Sequence, residues 1–195
     1  VTAFLGFKPW EHEYKIMGMA PYANSKASKS LKENVFDKLI TVDSKSLKFV
    51  LKTKLSMNYC YKYLAENLQG ERIDNISGAL QLFTEEMLEK LVLSAVKKTK
   101  ISTVLLSGGV FMNVKMNMKL SSIKSIDKLY IPPSPDDSSQ SMGAVLYQNH
   151  LFGIKNEHIN SAYLGFDFSN ISTKKIKNTF QEKQYHLYEK KSLEI

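Results

Sequence analysis

The sequence predicts an α/β domain in which a mostly parallel sheet is flanked by helices. After residue 100, short apolar segments of strand length alternate with segments whose apolar residues have helical spacing. Strands that are separated by helices usually pair in parallel, because the chain crosses back over the sheet between them. With 195 residues, 43% of them hydrophobic, the chain can also bury the core that such a domain requires.

The first elements are predicted from proline punctuation and helical spacing. Residues 11–22 favour a helix that ends at Ala20, because Pro21 disfavours helical geometry in the residue before it. Residues 24–30 are small and polar, which is typical of a loop. An amphipathic helix is predicted for residues 30–40.

A strand and two helices are predicted next. Alternation over residues 47–51 indicates the strand, and helical spacing over residues 58–68 indicates a helix that Gly70 ends. Residues 73–99 form the longest periodic segment and predict a long packing helix. Its apolar stripe recurs at spacings of three and four and consists of Ile76, Leu80, Phe83, Met87, Leu88, Leu91 and Ala95.

Gln81 and Glu85 lie one turn apart beside the apolar stripe of the long helix. Side chains in this position could reach a functional site, but polar residues that border an apolar stripe more often form a solvated edge. We therefore expect Gln81 and Glu85 to face solvent.

The α/β alternation places two loops at one edge of the predicted sheet. Its strands and helices fall in turn at residues 104–106, 110–120, 128–131 and 138–150. Gly108 and Gly109 follow the first strand, and the proline-rich loop 132–137 follows the second. Parallel sheets bind ligands beyond the carboxyl ends of their strands, so we expect these two loops to be neighbours.

A strand that ends in two glycines is typical of a nucleotide site. Without Cβ atoms, Gly108 and Gly109 let backbone N–H groups approach a ligand, and the helix that follows points its positive end toward a phosphate. The same arrangement also serves as an ordinary corner of an α/β domain, so the motif alone leaves both interpretations open.

Four polar side chains near these loops could serve a ligand or only the local fold. Asp136 or Asp137 could cap the following helix, or could hold a cation that bridges to a phosphate or to a transferred acyl group. Two adjacent aspartates allow both roles at once. Asn113 and Asn117 share one helix face, where their amides could contact a sugar hydroxyl or a phosphate oxygen, or could form a polar surface.

Charge and composition argue against several function classes. The net charge is +8, but Arg72 is the only arginine and the lysines are scattered, which favours solvated faces over a nucleic-acid surface. Cys60 is the only cysteine, which excludes a disulfide framework and favours a reducing, cytoplasmic compartment. No apolar run approaches the roughly 20 residues that span a bilayer. The four histidines have no metal-ligand spacing.

Three sequence blocks, in this order, resemble the signatures of the O-carbamoyltransferases of nodulation-factor and antibiotic biosynthesis. They are HEYKIMGMAPYA (residues 12–23), LSGGVFMNVKMN (residues 106–117) and PPSPDDSSQSMGAVLY (residues 132–147). The helix around Gln81 and the segment YLGFDFSN (residues 163–170) also fall where this family has matching elements. Three ordered blocks are much more specific than any one of them.

The resemblance implies a lobe of the actin-like ATPase and sugar-kinase fold. In the family, a C-terminal YrdC-like domain makes carbamoyl-adenylate from carbamoyl phosphate and ATP. The lobe represented here then helps pass the carbamoyl group to a hydroxyl of a sugar or natural-product acceptor. Matching positions place Gly108 and Gly109 against the nucleotide phosphates and Asn113 in contact with the nucleotide, with Glu13 or Lys15 near its ribose or phosphate side.

The resemblance also implies that Asp137 binds a divalent metal ion, expected to be Fe²⁺. The family's paired metal-binding histidines lie in an N-terminal segment that this sequence does not contain, and Ser139 stands where many members carry glycine. The chain opens with Val1, and its polar, lysine-rich residues 163–195 would suit a crossing toward the C-terminal domain. We therefore expect residues 1–195 to be a partial N-terminal carbamoyltransferase domain, inactive by itself.

Two other functions are compatible with the same fold. A tRNA threonylcarbamoyl-transfer enzyme would share the fold, but the block at residues 12–23 and the scattered lysines argue against it. A non-catalytic nucleotide-binding lobe would keep the fold without the chemistry. The sequence has no GxSxG elbow and no Walker A loop, which disfavours nucleophilic catalysis by one of its side chains.

Overall fold

The computed structural model describes residues 1–55 and 60–156, in which helices dominate and four short strands form two small sheets. The helices are α1 (Glu13–Met19), α2 (Ser25–Asn34), α3 (Tyr61–Leu68), α4 (Ile73–Thr99), α5 (Val114–Ser121) and α6 (Gln140–Leu151). The strands are β1 (Ile40–Asp43), β2 (Lys48–Leu51), β3 (Thr103–Leu105) and β4 (Lys128–Tyr130). Within this described part, no helix has both the length and the apolar character needed to cross a membrane.

The two sheets confirm a mixed α/β protein. β3 and β4 pair in parallel, with Thr103 opposite Lys128, as the alternation after residue 100 predicts. β1 and β2 pair antiparallel, with Ile40 opposite Leu51, so the described sheets are not mostly parallel. A short loop joins β1 to β2, and such a connection favours antiparallel pairing. The actin-like lobe stays a prediction, and the predicted crossing over residues 163–195 lies outside the described residues.

The predicted loop at residues 24–30 is wrong, because this segment is mostly the start of α2. The Asn24 side-chain oxygen accepts hydrogen bonds from the N–H groups of Lys26 and Ala27, each at 3.1 Å, and thereby caps the helix. The helix predicted over residues 30–40 is correct only for its first half. After α2 ends, the chain makes a 3₁₀ turn and enters β1.

The long helix α4 is the central element, and its predicted bounds are confirmed. Its first half packs into one hydrophobic cluster and its second half into another. The first cluster contains the buried residues Leu31, Val35, Phe36, Leu39, Leu64, Leu68, Ile76 and Ala79. The second contains Leu88, Val92, Leu106, Met116 and Leu120. Because α4 contributes residues to both clusters, α2 and α5 pack against the same helix.

A glycine in α4 allows α2 and the preceding turn to pack close to it. A Cβ atom at Gly78 would lie 2.5 Å from Cβ of Ala23 and 2.6 Å from Oγ of Ser28, which is much closer than van der Waals contact. Ser28 is buried, and its Oγ donates a hydrogen bond to the backbone carbonyl of Asn75 at 3.2 Å. This hydrogen bond and its burial hold Ser28, one of the two neighbours of Gly78, in place.

We expect Gly78→Ala to lower the free energy of unfolding by about 1–3 kcal/mol, the usual cost of overpacking, although alanine is the better helix former. Gly143→Ala in α6 is the matched control, because a Cβ there meets no heavy atom within 4 Å. It should preserve or raise stability. Urea denaturation measures both variants. A Gly78→Ala protein as stable as the wild type would show that α2 and α4 separate without cost.

Candidate functional site

The two loops predicted to be neighbours are in contact. We call residues 107–110 the glycine corner and residues 132–137 the proline bend. The backbone N–H of Gly108 donates a hydrogen bond to the carbonyl oxygen of Pro135 at 2.7 Å, and Ser107 Oγ donates to the same oxygen at 3.3 Å. The parallel pairing of β3 with β4 explains this contact, because it brings the carboxyl ends of both strands to one edge.

The backbone of the glycine corner has two N–H groups that could donate hydrogen bonds to a ligand. Gly108 has φ 121° and ψ 150°, a combination that glycine alone adopts without strain. The N–H groups of Gly109 and Val110 donate to no acceptor among the described residues. A Cβ atom at Gly109 would meet no heavy atom within 4 Å. The corner therefore presents unused N–H donors beside open space, which suits an anionic oxygen.

Asn113 stands between the glycine corner and α4. Its Oδ1 caps α5 by accepting from the N–H of Met116 at 3.1 Å. Its Nδ2 donates to Oε1 of Gln81 at 2.8 Å, and Nε2 of Gln81 donates back to Oδ1 of Asn113 at 3.1 Å. The expectation that Gln81 faces solvent is wrong, because this half-buried side chain packs against α5. Helical periodicity alone does not reveal a partner on another element.

Glu85 also departs from the expected solvated edge, since its side chain is only 18% exposed. Its Oε1 accepts a hydrogen bond from Nε2 of Gln81 at 2.7 Å. Nζ of Lys119 lies 4.0 Å from the other oxygen of Glu85 and 2.8 Å from Oε2 of Glu89. Polar and charged contacts thus connect α4 to α5 in addition to their shared hydrophobic cluster.

A cleft of about 240 Å³ brings the first two sequence blocks together. Met17 and Pro21 line it from the end of α1 and the following turn, and Lys115 lines it from α5. Ser25 of α2 and Gln81 of α4 complete its polar side. Because Gln81 also bonds to Asn113, the cleft adjoins the residues that follow the glycine corner.

Glu13 and Lys15 lie at the start of α1. The N–H of Trp10 donates to Oε1 of Glu13 at 2.8 Å. Burial raises the pKa of Glu13. The hydrogen bond from Trp10 and further hydrogen bonds outweigh this effect and hold the pKa below its ordinary value. Nζ of Lys15 lies 5.8 Å from the ring centroids of Phe7 and Tyr14. The roles of Glu13 and Lys15 at a nucleotide stay predictions.

Asp136 has the capping role that its position suggests. Its Oδ1 accepts hydrogen bonds from Oγ of Ser138 at 2.6 Å and from Oγ of Ser134 at 2.7 Å. The N–H of Ser138 donates to the same oxygen at 3.3 Å. These bonds, first those from Ser138, hold the pKa of Asp136 below its usual range. Asp136 therefore stabilises the proline bend itself.

Asp137 is exposed, and its side chain makes no such capping bond to the part of the chain that the structure describes. Among residues 1–55 and 60–156, no three His, Cys, Asp or Glu side chains come together in a way that could hold a metal ion. These residues therefore do not form a metal site by themselves. Metal binding by Asp137 stays a prediction.

Asn117 supports the turn after the glycines. Its Nδ2 donates to the carbonyl oxygen of Phe111 at 2.6 Å. Its Oδ1 is buried and has no hydrogen-bond partner within the described part of the chain. The side chain therefore fixes the 3₁₀ turn at Gly109–Met112 against α5.

The fold and the glycine corner define an α/β protein with a candidate site for an anionic ligand. The chain belongs to the family described as carbamoyltransferase N-terminus, which matches residues 1–146. It is 26% identical over 208 residues to an uncharacterized protein of Methanocaldococcus jannaschii, covering 94% of this chain and 34% of that protein. It is 27% identical over 185 residues to an uncharacterized protein of Synechocystis sp., and this match covers 87% of this chain and 30% of that protein. The chain thus spans about a third of the length of the curated relatives it matches.

Proposed function

We propose that this chain is the part of an O-carbamoyltransferase that binds the nucleotide end of carbamoyl-adenylate and supports carbamoyl transfer to an acceptor hydroxyl. Membership in the carbamoyltransferase N-terminus family supports the general activity. The nucleotide role rests on the unused N–H groups of Gly109 and Val110 beside the proline bend. Backbone N–H groups form strong hydrogen bonds to charged oxygens, so the phosphate of an adenylate suits this corner.

In the proposed reaction, the acceptor hydroxyl oxygen bonds to the carbamoyl carbon. The bond between that carbon and the adenylate phosphate oxygen breaks, AMP leaves with the electron pair, and the hydroxyl proton passes to a base. Carbamoyl-adenylate would be made from carbamoyl phosphate and ATP by the YrdC-like domain that the resemblance implies. The glycine corner would hold the phosphate while negative charge develops on it as AMP departs. The acceptor would be a sugar or another hydroxylated natural product.

Asp137 is proposed as one carboxylate ligand of a divalent ion, Fe²⁺. The described residues do not complete a metal site, so its other ligands would be the paired histidines that the resemblance implies. The described residues would place the phosphate at the glycine corner, with Asn113 in contact with the nucleotide. The cleft beside Gln81 leaves space next to that position.

We expect the 195-residue chain to bind ATP and AMP with 1:1 stoichiometry in isothermal titration calorimetry without added metal. Backbone N–H groups, which need no cation, would hold the phosphate. Ribose 5-phosphate is the matched control, and it should bind more weakly because it lacks the base. No heat of binding with either nucleotide at millimolar concentration would overturn the nucleotide role.

Transfer itself is tested on a longer protein that spans the full length of the relatives. With ATP, carbamoyl phosphate and a hydroxylated acceptor, mass spectrometry should detect one added carbamoyl group. Nucleotide binding without transfer to any acceptor would favour the non-catalytic nucleotide-binding lobe instead.

A further inference from the structure

Gln81 connects the proposed nucleotide site to a charged cluster on α4 and α5. Its Nε2 uses both N–H groups, one to Oε1 of Glu85 at 2.7 Å and one to Oδ1 of Asn113 at 3.1 Å. Its Oε1 accepts from Nδ2 of Asn113 at 2.8 Å. The two amides are thereby joined by a reciprocal pair of hydrogen bonds.

The carboxylate of Glu85 sets the orientation of both amides. An ionised carboxylate only accepts hydrogen bonds, so Gln81 has to turn Nε2 toward Glu85. Its Oε1 then faces Nδ2 of Asn113. The oxygen of Asn113 already accepts from the N–H of Met116, which requires the same orientation. A flip of either amide would bring two oxygens or two N–H groups together.

Lys119 keeps this arrangement in place. Its Nζ lies 4.0 Å from Oε2 of Glu85 and 2.8 Å from Oε2 of Glu89, so a positive charge on α5 faces two carboxylates of α4. The Lys119 side chain is 35% exposed, which leaves the pair partly shielded from water. The negative charge that orients Gln81 is therefore compensated from α5, the helix that Asn113 caps.

The oriented amide of Asn113 keeps one N–H without an acceptor among the described residues. We propose that Gln81, itself oriented by Glu85, is a positioning residue that fixes the Asn113 amide so that this N–H donates to an oxygen of the bound nucleotide. The inference rests on the proposed function. An amide that is ordered before binding gives up less conformational freedom when the ligand arrives, which strengthens binding.

Gln81→Leu is the first test, because leucine has a similar size and forms none of these hydrogen bonds. We expect the 195-residue variant to fold and to bind ATP about 3- to 10-fold more weakly, the range for one lost hydrogen bond. Lys90→Gln is the matched control, since Lys90 is exposed on the same helix. It should bind ATP like the wild type.

The side-chain amide signals of Asn113 in ¹H–¹⁵N NMR spectra separate positioning from a general loss of stability. In the wild type, the proton donated to Gln81 should exchange slowly with water, and the other should shift when ATP is added. In Gln81→Leu both protons should exchange rapidly. Unchanged exchange in a folded Gln81→Leu protein would overturn the positioning role.

A charge exchange provides a rescue. Gln81→Glu alone places two carboxylates against each other, so it should weaken ATP binding at least as much as Gln81→Leu. Adding Glu85→Gln lets an amide at position 85 donate to a carboxylate at position 81, which still accepts from Nδ2 of Asn113 but presents an oxygen to Oδ1 of Asn113. We expect the double variant to bind ATP more tightly than Gln81→Glu but more weakly than the wild type, because only the repulsion at position 85 is removed.

The outcomes distinguish this inference from the proposed function. If the wild type binds neither ATP nor AMP, the proposed function fails, and the positioning role fails with it. If the wild type binds ATP and the folded Gln81→Leu variant binds equally well, only the positioning role is wrong. No recovery in the double variant would also contradict the orienting role of Glu85.

Discussion

Gly109→Val is expected to remove most nucleotide binding while the fold remains intact. A Cβ atom at Gly109 meets no heavy atom within 4 Å, and the residue does not have the positive φ of Gly108, so the protein itself can accommodate valine. The new side chain would occupy the space beside the unused N–H groups of Gly109 and Val110. A hydrogen bond to a charged group contributes about 1.5–3 kcal/mol. Losing one should therefore weaken ATP binding about 10- to 100-fold in calorimetry.

Gly108→Ala is the contrasting variant, because it affects folding as well as binding. The conformation of Gly108 costs a residue with a side chain about 1–3 kcal/mol. Relaxing that strain would disturb the 2.7 Å hydrogen bond to Pro135 and separate the glycine corner from the proline bend. We expect this variant to lose both stability and affinity. If Gly109→Val binds ATP as tightly as the wild type, the phosphates do not lie at the corner.

The contact between the glycine corner and the proline bend could be predicted because it follows from a rule of sheet geometry. Parallel strands end at the same edge, so apolar segments separated by a helix are enough to bring Gly108 and Pro135 together. The bounds of α4 could also be predicted, because its apolar residues keep one period from end to end. Lys100 ends it in a left-handed conformation. Local pattern and tertiary structure agree at these points.

The remaining features depend on tertiary partners that a local pattern does not contain. The pairing of Gln81 with Asn113 joins two helices, and periodicity reports only which face is apolar. The polar residues after Asn24 have the composition of a loop, but its side-chain cap and the packing against Gly78 make them helical. The local pattern does not predict β1, a four-residue strand that pairs antiparallel with β2. Composition is a weak signal wherever a partner element determines the structure.

Lys32 carries a buried positive charge between two carboxylates. Its side chain is 7% exposed, and its Nζ lies 2.8 Å from Oδ2 of Asp37 and 2.7 Å from Oε2 of Glu86. Burial by itself lowers the pKa of Lys32, but the hydrogen bonds to both carboxylates outweigh it and raise the pKa above its ordinary value. The carboxylates are 30% and 49% exposed, so they remain in contact with water, whereas the Lys32 side chain is almost fully covered.

The double variant Asp37→Asn, Glu86→Gln is expected to lower the free energy of unfolding by about 3 kcal/mol, because it leaves a buried ammonium without a counter-charge. Lys32→Met should cost less, since the two partly exposed carboxylates that remain are solvated. The triple variant, which combines all three changes, should recover most of the loss because no buried charge is left. Urea denaturation at neutral pH measures the series. A double variant as stable as the wild type would show that the ammonium reaches water.

The pH dependence of the free energy of unfolding tests whether the charge of Lys32 causes the loss of stability in the double variant. In the wild type the folded pKa of Lys32 lies above the unfolded value of about 10.4. The contribution of the charged Lys32 to stability is therefore fully present below the unfolded pKa and is lost as the pH rises through the folded pKa. In the double variant, burial acts without the carboxylates and lowers the pKa, so deprotonation relieves the penalty as the pH rises. The two stability profiles should converge at alkaline pH, and profiles that stay parallel would assign the loss to groups other than Lys32.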